Sequence, residues 1–198
     1  MIQTENIIKQ HIEESVQTKQ RILSDSTLLA NIKQAAELLI EAYQSGKKTL
    51  LAGNGGSAAD AQHIAGEFVS KFYFDRPGIP SIALTTDTSI LTAVGNDYGF
   101  EQLFARQVQA QGSAGDVFIG ISTSGNSRNI LTALQTCKKE GIKTIGLTGE
   151  KECQMDQLCD IVIKIPSTST PRIQESHIMV GHILCCLVEE ALFGNEKR

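Results

Sequence analysis

No run of residues in this 198-residue chain is both long enough and apolar enough to read as a membrane span. The N-terminus MIQTENIIKQHIEESVQTKQ is broken by charge every few residues, so it carries no apolar signal core. There is no dense lysine–arginine stripe, and the formal net charge is −4. That balance argues against broad nucleic-acid binding while leaving room for a small local anion site. The five cysteines are Cys137, Cys153, Cys159, Cys185 and Cys186; no CxxC occurs, the number is odd, and two are adjacent in an apolar run. This pattern argues against a disulfide framework and, by its spacing, against a thiolate zinc site, and reads as reduced, mostly buried thiols in a cytoplasmic protein. Linkers, repeats and low-complexity segments are also missing. With apolar residues at 41%, one domain with one sizeable core is the simplest organisation.

What is present alternates between two periods. Residues 2–24 and 26–45 read as helices; in the second, Leu29, Ile32, Ala35, Ala36, Leu39 and Ile40 recur at helical spacing and Gly46 marks the stop. The first has a thinner apolar face and needs a partner to cover it. KKTLLAG is a strand, and Ser57 is placed to cap a helix running to about Phe72. SIALTT is a second strand, followed by a short helix from about Thr88 to Val94, a turn at GNDYG and a helix over 100–111. DVFIGIS, KTIGLTG and DIVIKIP complete five strands, with a helix from Ser127 to Gly141 between the first two of these. RIQESHIMVGHILCCLVEEALF closes the chain as a helix apolar nearly all round, which implies oligomer contacts. Short, continuously apolar strands separated by helices predict an α/β fold, a flavodoxin-like doubly wound parallel sheet of five strands.

Two strand ends carry small polar residues instead of ordinary turns: AGNGGS at 52–57 and ISTSGNS at 121–127. In an open α/β sheet, ligands bind beyond the carboxyl ends of the strands, and each loop leads into a helix whose first N–H groups are unpaired. Gly53, Gly55 and Gly56 permit close backbone approach, while Ser122, Thr123, Ser124 and Ser127 offer four hydroxyls within six residues. Neither loop contains lysine, so GNGGS is not a nucleotide P-loop, and it does not match GxGxxG. A serine-rich cradle without a fixed cation suits a sugar monophosphate better than a nucleoside triphosphate.

HIAGE places His63 and Glu67 at i and i+4, on one face of the helix opened by the first loop. In the last helix Gln174 and His182 lie about 80° apart around the axis and can lean into one cleft, whereas His177 lies about 140° from His182 and faces elsewhere. Taken singly, His63 and His182 read better as core histidines and Glu67 as a solvated helix residue. A histidine inside IMVGHILCCL nevertheless needs a hydrogen-bond or metal partner if its ring is buried.

These segments together, AGNGGSAADAQHIAGEF, TAVGNDYGFEQLF, GDVFIGISTSGNS, GLTG and RIQESHIMVGHILCCLVE, resemble the phosphoheptose isomerase family of the sugar isomerase (SIS) superfamily over nearly the whole chain. The resemblance implies a single SIS domain over 1–198, with 1–46 as a helical extension packing in a cytoplasmic homotetramer that engages neither nucleic acid nor membrane. It implies isomerisation of sedoheptulose 7-phosphate to D-glycero-D-manno-heptose 7-phosphate, the first step towards activated heptose for lipopolysaccharide or other surface glycans. Carried over position by position, it implies Glu67 and His182 as the catalytic pair. Substrate contacts would come from Asn54, Gly55, Gly56, Ser57, Asn96, Asp97, Ser122, Thr123, Ser124, Ser127 and Gln174. A zinc ion would be held by His63, Glu67, Gln174 and His182. Some members have an acidic residue directly before Arg-Ile-Gln; Pro171 stands here, so a contact made by that acid is missing or supplied elsewhere. The alternatives on this fold are a non-catalytic phosphosugar-binding or DnaA-binding regulator, and an isomerase of another ketose phosphate. A binding-only protein would need the loops without Glu67 and His182, and this chain has all of them.

Overall fold

Residues 2–194 are described by a computed structural model. Along the chain the elements are α1 (Ile2–Ser24), α2 (Ser26–Gln44), β1 (Thr49–Gly53), α3 (Gly56–Val69), β2 (Ser81–Ala83), α4 (Thr88–Tyr98), α5 (Leu103–Gln111), β3 (Val117–Ile121), α6 (Arg128–Glu140), β4 (Lys143–Gly149), α7 (Met155–Leu158), β5 (Ile161–Ile165) and α8 (Thr170–Phe193). The strands form one sheet in the order β2-β1-β3-β4-β5, every pair parallel. This is the doubly wound architecture the apolar strands imply. Every residue of β1 and β3 is buried, because helices cover both faces of the sheet.

The alternation of side chains along each strand divides the core in two. Leu51, Ile119, Ile145 and Leu147 point into a layer closed by α2, α3 and α8, through Leu39, Phe68, Val180 and Leu184. Leu50, Ala52 and Phe118 point into the opposite layer, closed by α5 and α6 through Phe104, Val108, Ile130 and Leu134. The strand order reverses between β1 and β3, so the loops that follow these two strands flank the topological switch point where such sheets bind ligands.

Several local expectations need correction. Ser57 does not cap α3. Gly55 sits at φ 56° with no side-chain cap bond, so the helix opens at Gly56 and Ser57 is buried within its first turn. The helix ends at Val69 rather than Phe72, because Ser70 leaves the helical region at ψ −102°. GNDYG is not a turn: α4 runs through Gly95 to Tyr98, capped at its start by Asp87, and stops where Gly99 takes φ 87°. A single glycine inside a helix costs only about 1 kcal/mol, which tertiary context readily offsets. The short α7 carried no sequence signal.

By length and composition alone α8 is apolar enough to cross a bilayer, contrary to the expectation that no segment is. It lies against the sheet and against α2 and α3, with Val180, Leu184, Cys185 and Val188 buried. All five cysteines are free; Cys137 and Cys185 are buried, and the other three are partly exposed. The thin face of α1 is uncovered, with Ile7, Ile8, Ile12, Val16 and Leu23 exposed.

Candidate active site

The loop after β3 turns its hydroxyls towards one another. Ser122 Oγ lies 2.8 Å from Ser127 Oγ and 3.4 Å from Ser124 Oγ. Ser127 occupies the N-cap of α6, yet its hydroxyl makes no cap bond. The helix start therefore keeps unpaired N–H groups beside converging hydroxyls, and the positive end of the helix dipole adds to both. That is the chemistry of an anion receptor. The loop after β1 is tied to it by a reciprocal amide pair: Asn54 Nδ2 donates to Asn129 Oδ1 at 3.0 Å, and Asn129 Nδ2 donates to Asn54 Oδ1 at 2.8 Å.

Beside the hydroxyls lies a pocket of about 240 Å³. Thr123 and Ser124 form one wall, Gly149, Glu150 and Lys151 beyond β4 another, and Ser167, Thr170 and Ile173 at the start of α8 a third. Gln174 reaches the same end of the molecule. Its amide nitrogen lies 2.6 Å from where a β-carbon on Gly56 would stand, so the Gln174 side chain lies directly over the start of α3.

The second group of side chains lies further along α3 and α8. His63 Nε2 is 2.9 Å from His182 Nε2 and 3.2 Å from Glu67 Oε1. One ligand atom from each of the three residues falls within 4.8 Å of the others. Ligand atoms around tetrahedral zinc stand about 3.4 Å apart, given metal bonds of about 2.1 Å, so this spacing and this donor set of two imidazoles and one carboxylate fit such an ion. Phe72 stacks beside His182, with ring centroids 5.6 Å apart. One turn before His63, Asp60 has a buried Oδ2 without a hydrogen-bond partner among the described residues. Burial raises its carboxyl above the ordinary range, partly offset by His63.

The residues singled out in the sequence thus fall into three places. Asn54, Gly55, Gly56, Ser57, Ser122, Thr123, Ser124, Ser127 and Gln174 lie at the strand-end loops and the helix starts beside them, with Asn54 paired to Asn129 and Gln174 over Gly56. His63, Glu67 and His182 meet about two turns away along α3 and α8. Asn96 and Asp97 are exposed on α4, where Asn96 Nδ2 donates to Asp97 Oδ1 at 2.8 Å. His177 does face elsewhere: it is fully buried beneath β4, with Nε2 3.1 Å from the Thr148 carbonyl. Sequence reasoning passed over Asn129, Lys151, Arg76 and Glu189. The available signals were faint: a buried-helix asparagine directly after the serine loop, and a carboxylate inside the apolar run CCLVEEALF.

A parallel sheet with an anion-binding cradle at its switch point defines a phosphate-ligand domain of the α/β class, and the SIS domain model matches residues 10–149. Over 189 residues the chain is 67% identical to the phosphoheptose isomerase of Aneurinibacillus thermoaerophilus, covering 96% of each chain. Over 187 residues it is 68% identical to phosphoheptose isomerase 2 of Campylobacter jejuni, covering 94% of this chain and 93% of that one. The structure of a phosphoheptose isomerase from Francisella tularensis superposes with a TM-score of 0.91 at 37% identity, over 94% of this chain and 98% of that one. The chain belongs to the phosphoheptose isomerase family of SIS-domain proteins.

Proposed function

We propose that the protein is an aldose–ketose isomerase that interconverts sedoheptulose 7-phosphate and D-glycero-D-manno-heptose 7-phosphate, in heptose biosynthesis. The observation that carries this reading is the convergence of His63, Glu67 and His182 from α3 and α8, two helices whose starts lie at the same strand-end side of the sheet as the serine loop. A purely binding protein has no use for that convergence. Identities of 67% and 68% to phosphoheptose isomerases support the same substrate.

The spacing also suits a seven-carbon chain. From Gly56 to His63 is seven residues, about 10 Å along a helix. The extended span from C2 to phosphorus in a heptulose 7-phosphate is about 9 Å from ordinary bond lengths. With the phosphate among Ser122, Thr123, Ser124 and Ser127 and at the start of α6, the carbonyl end of the sugar reaches the Glu67–His182 region. Lys151, in the pocket wall, adds a cation on the phosphate side. Asn54, Ser57, Asn96, Asp97 and Gln174 are proposed to contact the sugar.

In the ketose-to-aldose direction Glu67 takes the proton from C1 and the carbonyl oxygen on C2 gains one, giving the enediol. The proton then returns to carbon at C2 while the C1 hydroxyl loses its proton and becomes the aldehyde. His182, an imidazole that can donate from one ring nitrogen and accept at the other, serves the oxygen protons. His63, Glu67 and His182 would hold a zinc ion. Gln174 is the candidate fourth donor, which requires its amide to leave Gly56 and turn along α8 towards His182. A zinc ion bound there would supply Lewis-acid stabilisation of negative charge on oxygen. A cytoplasmic homotetramer is part of the same proposal, and the uncovered apolar stripe of α1 supports contacts between subunits.

The test is turnover of ketose phosphates of five, six and seven carbons, with Glu67→Gln beside the wild type. The seven-carbon substrate is expected to be preferred, and Glu67→Gln is expected to lose about a hundredfold or more in kcat. Equal rates for all three lengths would remove the heptose assignment, and near-normal turnover by Glu67→Gln would remove the carboxylate from the reaction.

A further inference from the structure

Glu67 occupies an insecure place for a reacting group. It lies in the last turn of α3, two residues before the helix ends at Val69, where carbonyls lack intrahelical partners and backbones fray. One buried side chain replaces the missing partners. Arg76, whose side chain is 1% exposed, donates from Nη2 to the Glu67 carbonyl at 2.9 Å and from Nη1 to the carbonyls of Phe68 (2.7 Å), Ser70 (3.2 Å) and Pro77 (3.0 Å). Its Nε donates to Glu189 Oε1 at 3.0 Å.

Glu189 is equally buried and holds the segment after α3 from the other side. It accepts from Phe72 N at 2.8 Å and Tyr73 N at 2.7 Å. Seven residues separate Glu189 from His182 on α8, a turn of about 20° around the axis, so both project from one face, about 10 Å apart. Phe72, whose amide Glu189 fixes, is the ring beside His182. Arg76 and Glu189 therefore connect the backbone of Glu67 to the helix and to the aromatic neighbour of His182.

Burying an ion pair is costly, and an apolar pair of the same volume would often be as stable. What an apolar pair cannot do is hold four carbonyls and two amides in fixed directions. We infer that Arg76 and Glu189 are positioning residues for the isomerisation: they set the distance between the Glu67 carboxylate and the His182 ring by clamping the end of α3 to α8. This rests on the isomerase reading above. A misplacement on the order of 1 Å at a reacting group can cost up to about a hundredfold in rate.

The discriminating variant is Arg76→Lys, which keeps the charge and loses the planar fork of donors. Its comparison is Leu134→Ala, a cavity in the layer on the far side of the sheet. Both are assayed with sedoheptulose 7-phosphate at a temperature where circular dichroism shows each fully folded. Arg76→Lys is expected to lower kcat about tenfold or more with KM within about twofold, while Leu134→Ala keeps its kcat despite a lower Tm. Amide hydrogen exchange over residues 66–73 should rise in Arg76→Lys and stay unchanged in α6. Glu189→Gln should reproduce both effects. A kcat for folded Arg76→Lys within twofold of wild type, or an equal loss in Leu134→Ala, overturns the inference. If the wild type itself fails to turn over the substrate, the isomerase reading fails instead. Hydrogen exchange then decides the clamp alone, with unchanged exchange over 66–73 refuting it.

Discussion

His177 gives the chain a pH dependence of stability whose size follows from its surroundings. The ring is fully buried, and Nε2 faces the carbonyl oxygen of Thr148, which can only accept, so Nε2 carries the hydrogen. Nδ1 has no hydrogen-bond partner among the described residues. Protonating it would bury an N–H without an acceptor, and burial accordingly pushes the imidazole down to about 4 despite the opposing pull of the Thr148 carbonyl. The unfolded chain keeps the ordinary value of about 6.5. Between these values the unfolded state binds the extra proton, so stability is fully present above pH 6.5 and is lost as pH falls towards 4. Linkage puts the loss at about 2 kcal/mol at pH 5, approaching about 3 kcal/mol below pH 4. The assay is urea unfolding at fixed protein concentration with chelator present, at pH 8 and pH 5, for wild type and His177→Gln. The packing cost of the substitution is independent of pH and cancels in the slope. The wild type should lose about 2 kcal/mol more than the variant between the two pH values. Equal losses would refute a buried neutral imidazole at this position.

Ser122→Ala removes the hydroxyl that bridges Ser124 and Ser127, and should raise KM for the phosphosugar about tenfold while leaving kcat within about threefold, because phosphate contacts persist from ground state to transition state. Competition by inorganic phosphate should weaken in parallel, and a fall in kcat alone would contradict the cradle. Chelation should lower activity and zinc restore it. Zinc should also raise the Tm of the wild type but not of a His63→Ala/His182→Ala variant, by the ordinary linkage of a ligand bound only to the folded state. An identical Tm shift in both proteins would place the ion elsewhere.

The sequence by itself determined the class of the fold and the two loops. Strands buried on both faces must be continuously apolar, so TLLAG and VFIGI read as central strands of a parallel sheet without reference to any distant residue. Glycine and serine at a strand end report a backbone requirement that is equally local. The i, i+4 spacing of His63 and Glu67 was legible for the same reason. Helix boundaries were less so: whether Gly95 or Gly99 ends α4, and whether Ser57 caps α3, depend on single backbone angles that tertiary packing sets. Only the folded chain decided that His182 meets His63 across 119 residues of sequence, and that His177, five residues earlier on the same helix, is instead sealed beneath β4. It also revealed the clamp. An arginine in a loop and a glutamate near the end of an apolar helix look solvated one at a time. They become a buried pair because the segment after α3 packs against α8, where Arg76 Nε meets Glu189 while its Nη groups reach the unpaired carbonyls at the end of α3.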